Sequence, residues 1–304
     1  MLDRRQFLRS TTAAGMAIGM PAFGQLADGL LFDISLAQWS LNRRLFGGEL
    51  DNLDFPAFTK QTFGIDAVEY VNRFFMDKAQ DRAYLTALKG RCDDNGVTSL
   101  LIMCDREGDL GDPDPAARTQ AVENHYKWVE ASAYLGCHSV RVNAASEGSY
   151  EQQRGYAADG LRRLAEFAAD YGLNVLVENH GGLSSNGKWL AAVIASVGLD
   201  NCGTLPDFGN FLITEEQEYD RYQGVAELMP FAKGVSAKSY EFDANGNELR
   251  TDFRRMLRIV LDAGYRGHVG VEWEGRELDD VEGIRLTQAL LERIRAELKD
   301  QYSA

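Results

Sequence analysis

The sequence predicts a single (β/α)8 TIM barrel, a fold of the α/β class. Eight apolar, strand-like runs alternate with eight helix-like segments, and no linker rich in Pro, Gly or Ser separates them. Strands that alternate with helices form parallel sheets. Eight uninterrupted units favour a closed barrel over a doubly wound sheet with a second domain. At 304 residues the chain has the length of one barrel or two ordinary domains, so this alternation decides between them.

The N-terminal region differs from the rest of the chain. Arg4 and Arg5 precede a weakly apolar stretch at 11–20 and small residues at 21–24. This order resembles a twin-arginine export signal over residues 1–24. It predicts the twin-arginine export machinery as a partner and a periplasmic or otherwise exported protein, the alternative being a disordered N-terminus with chance arginines. No other apolar run is long enough to span a bilayer, so no stable membrane anchor is expected, and the barrel domain is assigned to residues 30–304.

The predicted elements follow one another at a regular interval. Pro56 suits the first turn of a helix, and Gly96, Gly136 and Gly172 stand where helices stop. The predicted strands span 32–41, 65–70, 97–103, 138–142, 174–178, 202–206, 234–238 and 268–272. The predicted helices span 54–63, 82–95, 116–135, 150–171, 188–196, 215–229, 252–263 and 281–298.

Composition narrows the class of partner. The net charge is −14 and the pI is about 4.8. A nucleic-acid-binding protein normally gathers a surplus of Lys and Arg on one face, so no nucleic-acid partner is expected. The four cysteines lack CxxC spacing and are predicted to be small buried hydrophobic residues, not disulfides or zinc ligands.

Carboxylates collect at the predicted carboxyl ends of the strands, where TIM barrels carry their chemistry. Glu178, Asp207 and Glu272 follow the fifth, sixth and eighth strands. Three carboxylates close together repel one another unless a cation or protons intervene, which predicts one divalent metal ion. Oxygen ligands favour Mg²⁺ or Mn²⁺, and an added imidazole favours Mn²⁺, Co²⁺ or Zn²⁺. The alternative for each acid alone is an ion pair with Lys238 or Arg141.

Four segments, VLVENHGG, LPDFGN, GVSAKSYEF and GVEWEG, resemble the xylose-isomerase-like superfamily of sugar isomerases and epimerases. The resemblance covers the whole mature chain in unit order. It implies that Glu178, Asp207 and Glu272 hold the metal together with a histidine from the seventh strand, and that the two glutamates act as acid and base. This chain has Ser236 where that family commonly has the histidine.

Other polar and aromatic residues at the strand ends have more than one interpretation. His180 could supply the fourth metal ligand, or it could hydrogen-bond the substrate or a neighbouring acid. Lys238 could neutralise a developing oxyanion or pair with Glu178 or Asp207. Further candidates for substrate binding are Glu69, Arg141 and Asn143 as hydroxyl binders and Trp39 as an apolar wall, although aromatic residues on barrel loops more often serve packing.

The sequence therefore predicts a metal-dependent sugar isomerase or epimerase that removes a proton next to a carbonyl, with Glu178 and Glu272 as acid and base. One alternative is a lyase that acts on 3-keto-glycosides by β-elimination, and another is a non-catalytic exported sugar-binding barrel. A DNA-repair endonuclease of the same superfamily would need a histidine-rich site and a basic groove, and the chain has four histidines and a strongly negative charge. The expected partner is a small carbohydrate. The oligomeric state, including a homo-oligomer, is left open.

Overall fold

The computed structural model describes residues 30–302, and the predicted export signal at 1–24 lies outside them. The strands are β1 (Asp33–Ala37), β2 (Ala67–Val71), β3 (Thr98–Met103), β4 (Ser139–Val142), β5 (Asn174–Glu178), β6 (Cys202–Leu205), β7 (Leu212–Thr214), β8 (Gln217–Glu218), β9 (Val235–Ser239) and β10 (His268–Trp273). The helices are α1 (Asn42–Gly47), α2 (Phe55–Phe63), α3 (Arg82–Asn95), α4 (Pro115–Leu135), α5 (Tyr150–Ala169), α6 (Gly187–Val197), α7 (Arg221–Leu228), α8 (Phe253–Asp262) and α9 (Asp280–Tyr302).

Eight parallel strands form one sheet in the order β6-β5-β4-β3-β2-β1-β10-β9. Its two ends meet through parallel bridges that pair Asp207 with Ser236 and Thr204 with Ala232. The backbone N–H of Ser236 donates to the carbonyl of Pro206 across this seam at 2.9 Å. The predicted (β/α)8 barrel is therefore confirmed, and its closing seam brings the end of β6 against β9.

The apolar side chains form two clusters, as expected for a barrel whose strands are covered on both faces. The larger one fills the space between the strands and the surrounding helices and includes Trp128, Trp189 and Trp273. The smaller one contains Ala37, Val71, Leu101, Met103, Leu176 and Leu205, with Trp39 and Phe74 packed against it. All four cysteines are buried and free, as predicted.

Most predicted elements lie within two or three residues of their observed positions, and α3 matches exactly. The predicted helix at 215–229 is wrong in its first half. Its first residues form the turn of the β7–β8 hairpin and β8 itself, and α7 begins only at Arg221, where the Asp220 side chain accepts a hydrogen bond from the N–H of Gln223. The acidic cap at Asp220 sets the true start, since a carboxylate there satisfies a free N–H of the first turn. Within residues 30–302, no helix has the length and apolar character needed to cross a membrane.

Candidate active site and metal centre

Four neighbouring strands of the barrel bring the predicted carboxylates together. Glu178 is the last residue of β5, Asp207 lies two residues beyond β6, and Glu272 lies in β10. Between them runs β9, whose Lys238 is in register with Glu272 and whose Ser236 bridges to Asp207. The closing seam of the barrel is thus the place where the three acids meet.

Glu178, Asp207 and Glu272 form a cluster, the carboxylate group, whose ligand atoms all lie within 4.8 Å of one another. Glu178 and Asp207 are fully buried, and Glu272 is 4% exposed. Buried carboxylates are costly unless they have charged partners, protons or a metal. The contacts of each acid show how far the protein itself meets that need.

Glu178 is held by two side chains. Arg141 Nε donates to its Oε2, Arg141 Nη2 forms an ion pair with the same oxygen, and the amide of Asn210 donates to Oε1 at 2.8 Å. Arg141 also reaches Asp105, with 3.0 Å between Nη1 and Oδ1. A forked guanidinium contact fixes both the charge and the orientation of a carboxylate, so Glu178 is a fixed anion at the end of β5.

Asp207 and Glu272 share the hydroxyl of Ser236, which lies 2.9 Å from Asp207 Oδ2 and 2.6 Å from Glu272 Oε2. The ammonium of Lys238 lies 3.1 Å from Glu272 Oε1 and 3.6 Å from Asp207 Oδ2. The other oxygen of Asp207 accepts the backbone N–H groups of Gly209 and Asn210 at 2.7 and 2.8 Å. Lys238 therefore pairs with Asp207, one of its two predicted partners, and with Glu272, while its role toward a developing oxyanion stays a prediction.

The three acids differ in how readily they ionise. Burial raises the pKa of Glu272 to about 8, because Lys238 only partly offsets burial and the charges of Glu178 and Asp207 add to it. Burial likewise raises the pKa of Asp207 to about 6 against the effect of Lys238. Burial would also raise the pKa of Glu178, but the charges of Arg141, His180 and Lys238 and the hydrogen bond from Arg141 together outweigh it and hold that pKa below its usual value. The group thus contains one firmly ionised and two proton-binding carboxyls.

The residues fit a divalent metal ion. Five carboxylates lie at this end of the barrel against two cations, Arg141 and Lys238, and the acids are Asp105, Glu178, Asp207, Glu272 and Glu274. A surplus of buried negative charge raises carboxyl pKa values as seen at Glu272, and a divalent cation would remove most of that surplus. Three carboxylates supply the oxygen ligands that Mg²⁺ and Mn²⁺ prefer.

His180 is exposed and lies outside the group of three carboxylates. Because β5 ends at Glu178, the strand alternation that predicted His180 beside Glu178 does not extend to it. Its backbone N–H donates to Ser184 Oγ at 2.9 Å. A metal-binding or substrate-binding role for its imidazole stays a prediction.

Glu69, Asn143 and Trp39 lie in or just after other strands of the barrel. Glu69 is 3% exposed and accepts a hydrogen bond from Ser35 at 2.6 Å, while its Oε2 has no partner among the described residues. Asn143 donates to Asp105 Oδ1 at 3.1 Å, and its own buried Oδ1 has no partner within residues 30–302. Trp39 packs against the smaller of the two apolar clusters. Their roles as substrate-binding residues are untested predictions.

Two residues gain importance only in the folded chain. Asn210 links two of the acids, because its side chain donates to Glu178 and its backbone N–H donates to Asp207. Tyr240 follows β9 and lies against Gly209, beside the carboxylate group. The sequence offered a weak signal for Asn210, which follows the sixth predicted strand, and none for Tyr240.

The sequence profile of the xylose isomerase-like TIM barrel matches residues 59–296, most of the chain. The chain belongs to this family. Its predicted membership is thereby confirmed, and the four strands that carry Glu178, Asp207, Lys238 and Glu272 all lie inside the matched range.

Curated relatives of this xylose isomerase-like chain match over short stretches. The C-glycoside deglycosidase alpha subunit of Arthrobacter globiformis is 35% identical over 80 residues, which is 24% of this chain and 23% of the relative. The 3'-dehydrocarminate deglycosidase alpha subunit of a Microbacterium species is 32% identical over 85 residues, 27% of this chain and 24% of the relative. The matches thus span about a quarter of the length of these relatives.

Solved structures share the fold over nearly the full chain. An L-ribulose 3-epimerase has a TM-score of 0.68 at 18% identity, with 88% of this chain and 96% of that chain covered. The IolI protein, solved with a zinc atom bound, has a TM-score of 0.67 at 14% identity, with 87% and 98% covered. A 3-keto-D-glucoside 4-epimerase from E. coli has a TM-score of 0.61 at 17% identity, with 87% and 99% covered. At these identities the likeness shows the fold.

Proposed function

We propose that this protein is a metal-dependent sugar isomerase or epimerase that removes a proton from the carbon next to a carbonyl. The observation that carries the proposal is the group of Glu178, Asp207 and Glu272 at the mouth of the barrel, within 4.8 Å of one another. Two glutamates flanking a bound sugar can remove a proton from one position and return it at another. Sugar epimerases among the solved structures of the same fold support this choice.

The metal site would consist of Glu178, Asp207 and Glu272. A divalent ion supplies electrophilic chemistry there, since it polarises a carbonyl and an adjacent hydroxyl. The all-oxygen ligand set favours Mn²⁺ or Mg²⁺, and recruitment of His180 would favour Co²⁺ or Zn²⁺. The zinc atom bound to the IolI protein supports a metal in a barrel of this kind.

Glu178 is the better candidate for the base. Arg141 keeps it ionised, and a carboxylate oxygen that accepts one hydrogen bond still has a free lone pair. Glu272 would return the proton on the opposite face for epimerisation, or at the adjacent carbon for isomerisation. Lys238 stays protonated among the acids and could hold the oxygen on which negative charge develops.

The substrate class follows from the charge of the site. Even with a divalent ion bound, five carboxylates and two cations keep a net negative charge that disfavours a phosphorylated or carboxylated sugar, so a neutral carbohydrate is the expected partner. Trp39 could provide an apolar wall, and Asn143 and Glu69 could bind hydroxyl groups. Free sugars, inositols and oxidised glycosides all meet this description.

A lyase that acts on 3-keto-glycosides is the second candidate, because both curated relatives are subunits of deglycosidases. Removal of the proton next to the ketone by one glutamate would be followed by cleavage of the bond to the aglycone. The departing group would take a proton from the other glutamate, leaving an unsaturated ketone. The same pair of acids serves this elimination, so the products decide between the two reactions.

To test the proposal, the purified protein is incubated in D₂O either with a ketose or with a methyl 3-keto-glucoside. Each incubation is done once with Mn²⁺ and once with a chelator. Metal-dependent deuterium incorporation with an epimeric or isomeric product supports the isomerase, and release of methanol supports the lyase. Glu272→Gln should abolish exchange, whereas Glu123→Gln, on the exposed surface of α4, should not. Sugar binding without metal binding or exchange in the unmodified protein would instead favour a non-catalytic sugar-binding barrel.

We also propose that residues 1–24 direct export by the twin-arginine machinery. The paired Arg4 and Arg5 support this. Expression of the full chain with both arginines replaced by lysine should retain the protein inside the cell, while the unmodified chain reaches the exported fraction.

A further inference from the structure

Tyr240 lies beside the carboxylate group on the segment that leaves β9. A Cβ atom at Gly209 would come within 3.0 Å of both Cε2 and the hydroxyl of Tyr240, and within 3.1 Å of Cδ of Lys238. The phenol and the Lys238 chain therefore meet directly above Gly209, two residues from Asp207. A side chain at position 209 would crowd both of these groups, which glycine does not.

The ring of Tyr240 is fixed from its other side and along its backbone. The guanidinium of Arg250 lies 4.4 Å from the ring centroid, a distance at which a cation and an aromatic face attract each other. The backbone N–H of Tyr240 donates to Glu248 Oε1 at 3.1 Å. Glu248 is itself buried and also accepts the N–H of Arg250 at 2.7 Å. The position of the hydroxyl is thus set by contacts that do not involve the hydroxyl itself.

The hydroxyl of Tyr240 has no hydrogen-bond partner among residues 30–302, although four charged groups act on it, namely Lys238, Asp207, Glu274 and Glu272. The residue is half-buried. A donor held in place next to a reaction centre and left unpaired is what substrate recognition requires, because a substrate oxygen can then complete its hydrogen bonding.

We propose that the Tyr240 hydroxyl donates a hydrogen bond to a hydroxyl oxygen of a neutral sugar bound at the carboxylate group, which makes Tyr240 a specificity-determining residue. The inference rests on the proposed function for the presence of a sugar in this site. The carboxylates nearby disfavour an anionic substituent at this position and favour a hydroxyl, which can accept from Tyr240 and donate to Glu274. Gly209 and Arg250 are positioning residues for the phenol.

The experiment compares the full-length protein with Tyr240→Phe, and with Tyr171→Phe as a control. Tyr171 is exposed at the end of α5, and its hydroxyl donates to Glu130 away from the site. Binding of D-fructose and of a methyl 3-keto-glucoside is measured by calorimetry in the presence of Mn²⁺. Binding of the tighter ligand is then compared with that of its monodeoxy analogues. Tyr240→Phe should weaken binding about five- to tenfold, the loss expected for one neutral hydrogen bond, and Tyr171→Phe should not.

The monodeoxy analogues separate recognition from packing. One analogue should bind the unmodified protein as weakly as the parent sugar binds Tyr240→Phe, and that analogue should lose nothing further in the variant. Gly209→Ala, whose Cβ would crowd the ring at 3.0 Å, should shift the hydroxyl and weaken binding in the same analogue-dependent way. Unchanged affinity in Tyr240→Phe, or equal losses for every analogue, would overturn the proposal. Calorimetry measures binding without turnover, so the two proposals can fail separately. Sugar binding that depends on Tyr240, without deuterium exchange into the sugar, would refute only the isomerase. Absence of any sugar binding would refute both the isomerase and the role of Tyr240.

Discussion

The hydroxyl of Ser236 lies 2.6 Å from Oε2 of Glu272, and both residues are almost fully buried. The same hydroxyl lies 2.9 Å from Asp207 Oδ2. A serine hydroxyl has one proton to donate, so it can satisfy both carboxyls only if one of them carries a proton and donates in return. The raised pKa of Glu272, at about 8, agrees with such a shared proton near neutral pH.

Metal binding should therefore release a proton. Burial and the neighbouring charges raise the pKa of Glu272 to about 8 and that of Asp207 to about 6, and a cation binds the ionised forms. Affinity for Mn²⁺ should be constant above pH 8, fall about tenfold per pH unit between 8 and 6, and fall more steeply below 6. Calorimetry in two buffers of different ionisation enthalpy measures the protons released.

A variant at Glu272 measures how much this residue contributes to the proton release on metal binding. Glu272→Gln removes one titrating group, so the release near pH 7 should disappear together with most of the affinity. If the unmodified protein releases no proton when it binds Mn²⁺ at pH 7, Glu272 is already ionised without the metal.

Ser236 is expected to be dispensable as a metal ligand. Ser236→Ala should keep the affinity for Mn²⁺ within a few-fold, because the three carboxylates remain. Ser236→His would add an imidazole where the family commonly has one, and should tighten binding at least tenfold. Competition with a chelator measures both affinities, and circular dichroism checks that each variant folds. A loss of a hundredfold in Ser236→Ala would show that the hydroxyl itself binds the metal.

The carboxylate group was predictable from sequence because it depends on a repeating pattern. Once the chain is read as a barrel, any residue that ends an apolar strand lies at the same mouth, so Glu178, Asp207 and Glu272 come together whatever the details of packing. The pattern also gave Lys238 and Arg141 as neighbours. The alignment of neighbouring strands and the alternation of side chains along each strand are enough to predict that these residues lie together.

The parts that sequence missed depend on contacts between loops. Tyr240 reaches the site because Gly209, from another loop, leaves space for it. β8 stands where helix was predicted, because Gln217 and Glu218 pair with β7 in a hairpin and the helix begins only after the cap at Asp220. His180 lies beyond the end of β5, where strand alternation no longer predicts direction. Loop conformations of this kind are set by tertiary packing, which no local periodicity records.

Arg141 should be essential for stability as well as for the charge of Glu178. Arg141→Met leaves Glu178 buried without its counter-charge and should lower the free energy of unfolding by about 3–5 kcal/mol. Arg141→Lys keeps a charge but loses the forked contact, and should cost less. Chemical denaturation at pH 7 in the presence of a chelator measures these losses.

The double variant Arg141→Met/Glu178→Gln tests the cause of the Arg141 effect. It should recover much of the loss, because the unpaired charge is gone. Equal instability of the single and double variants would mean that Arg141 acts through packing and through Asp105.

Glu69 should make stability depend on pH in a predictable direction. Burial inside the barrel raises its pKa from 4.5 to about 7, since the hydrogen bond from Ser35 only partly offsets burial and the charge of Glu178 adds to it. Between these values the folded chain holds a proton that the unfolded chain has lost, so stability falls as pH rises from 4.5 to about 7 and is then constant. Glu69→Gln should match the unmodified protein below pH 4.5 and exceed it above pH 7 by on the order of 3 kcal/mol.

Denaturation at pH 4.5 and at pH 8 in the presence of a chelator tests the Glu69 prediction. The difference between the two proteins isolates Glu69 from the other buried acids, and Glu123→Gln on the surface of α4 serves as the control. Gly270, in β10 on the far side of β1, explains why the carboxyl can occupy this place, because a Cβ atom there would come within 2.7 Å of Glu69 Oε1. A stability difference that does not change with pH would mean that the carboxyl is ionised in the folded chain and has a cation near its free Oε2.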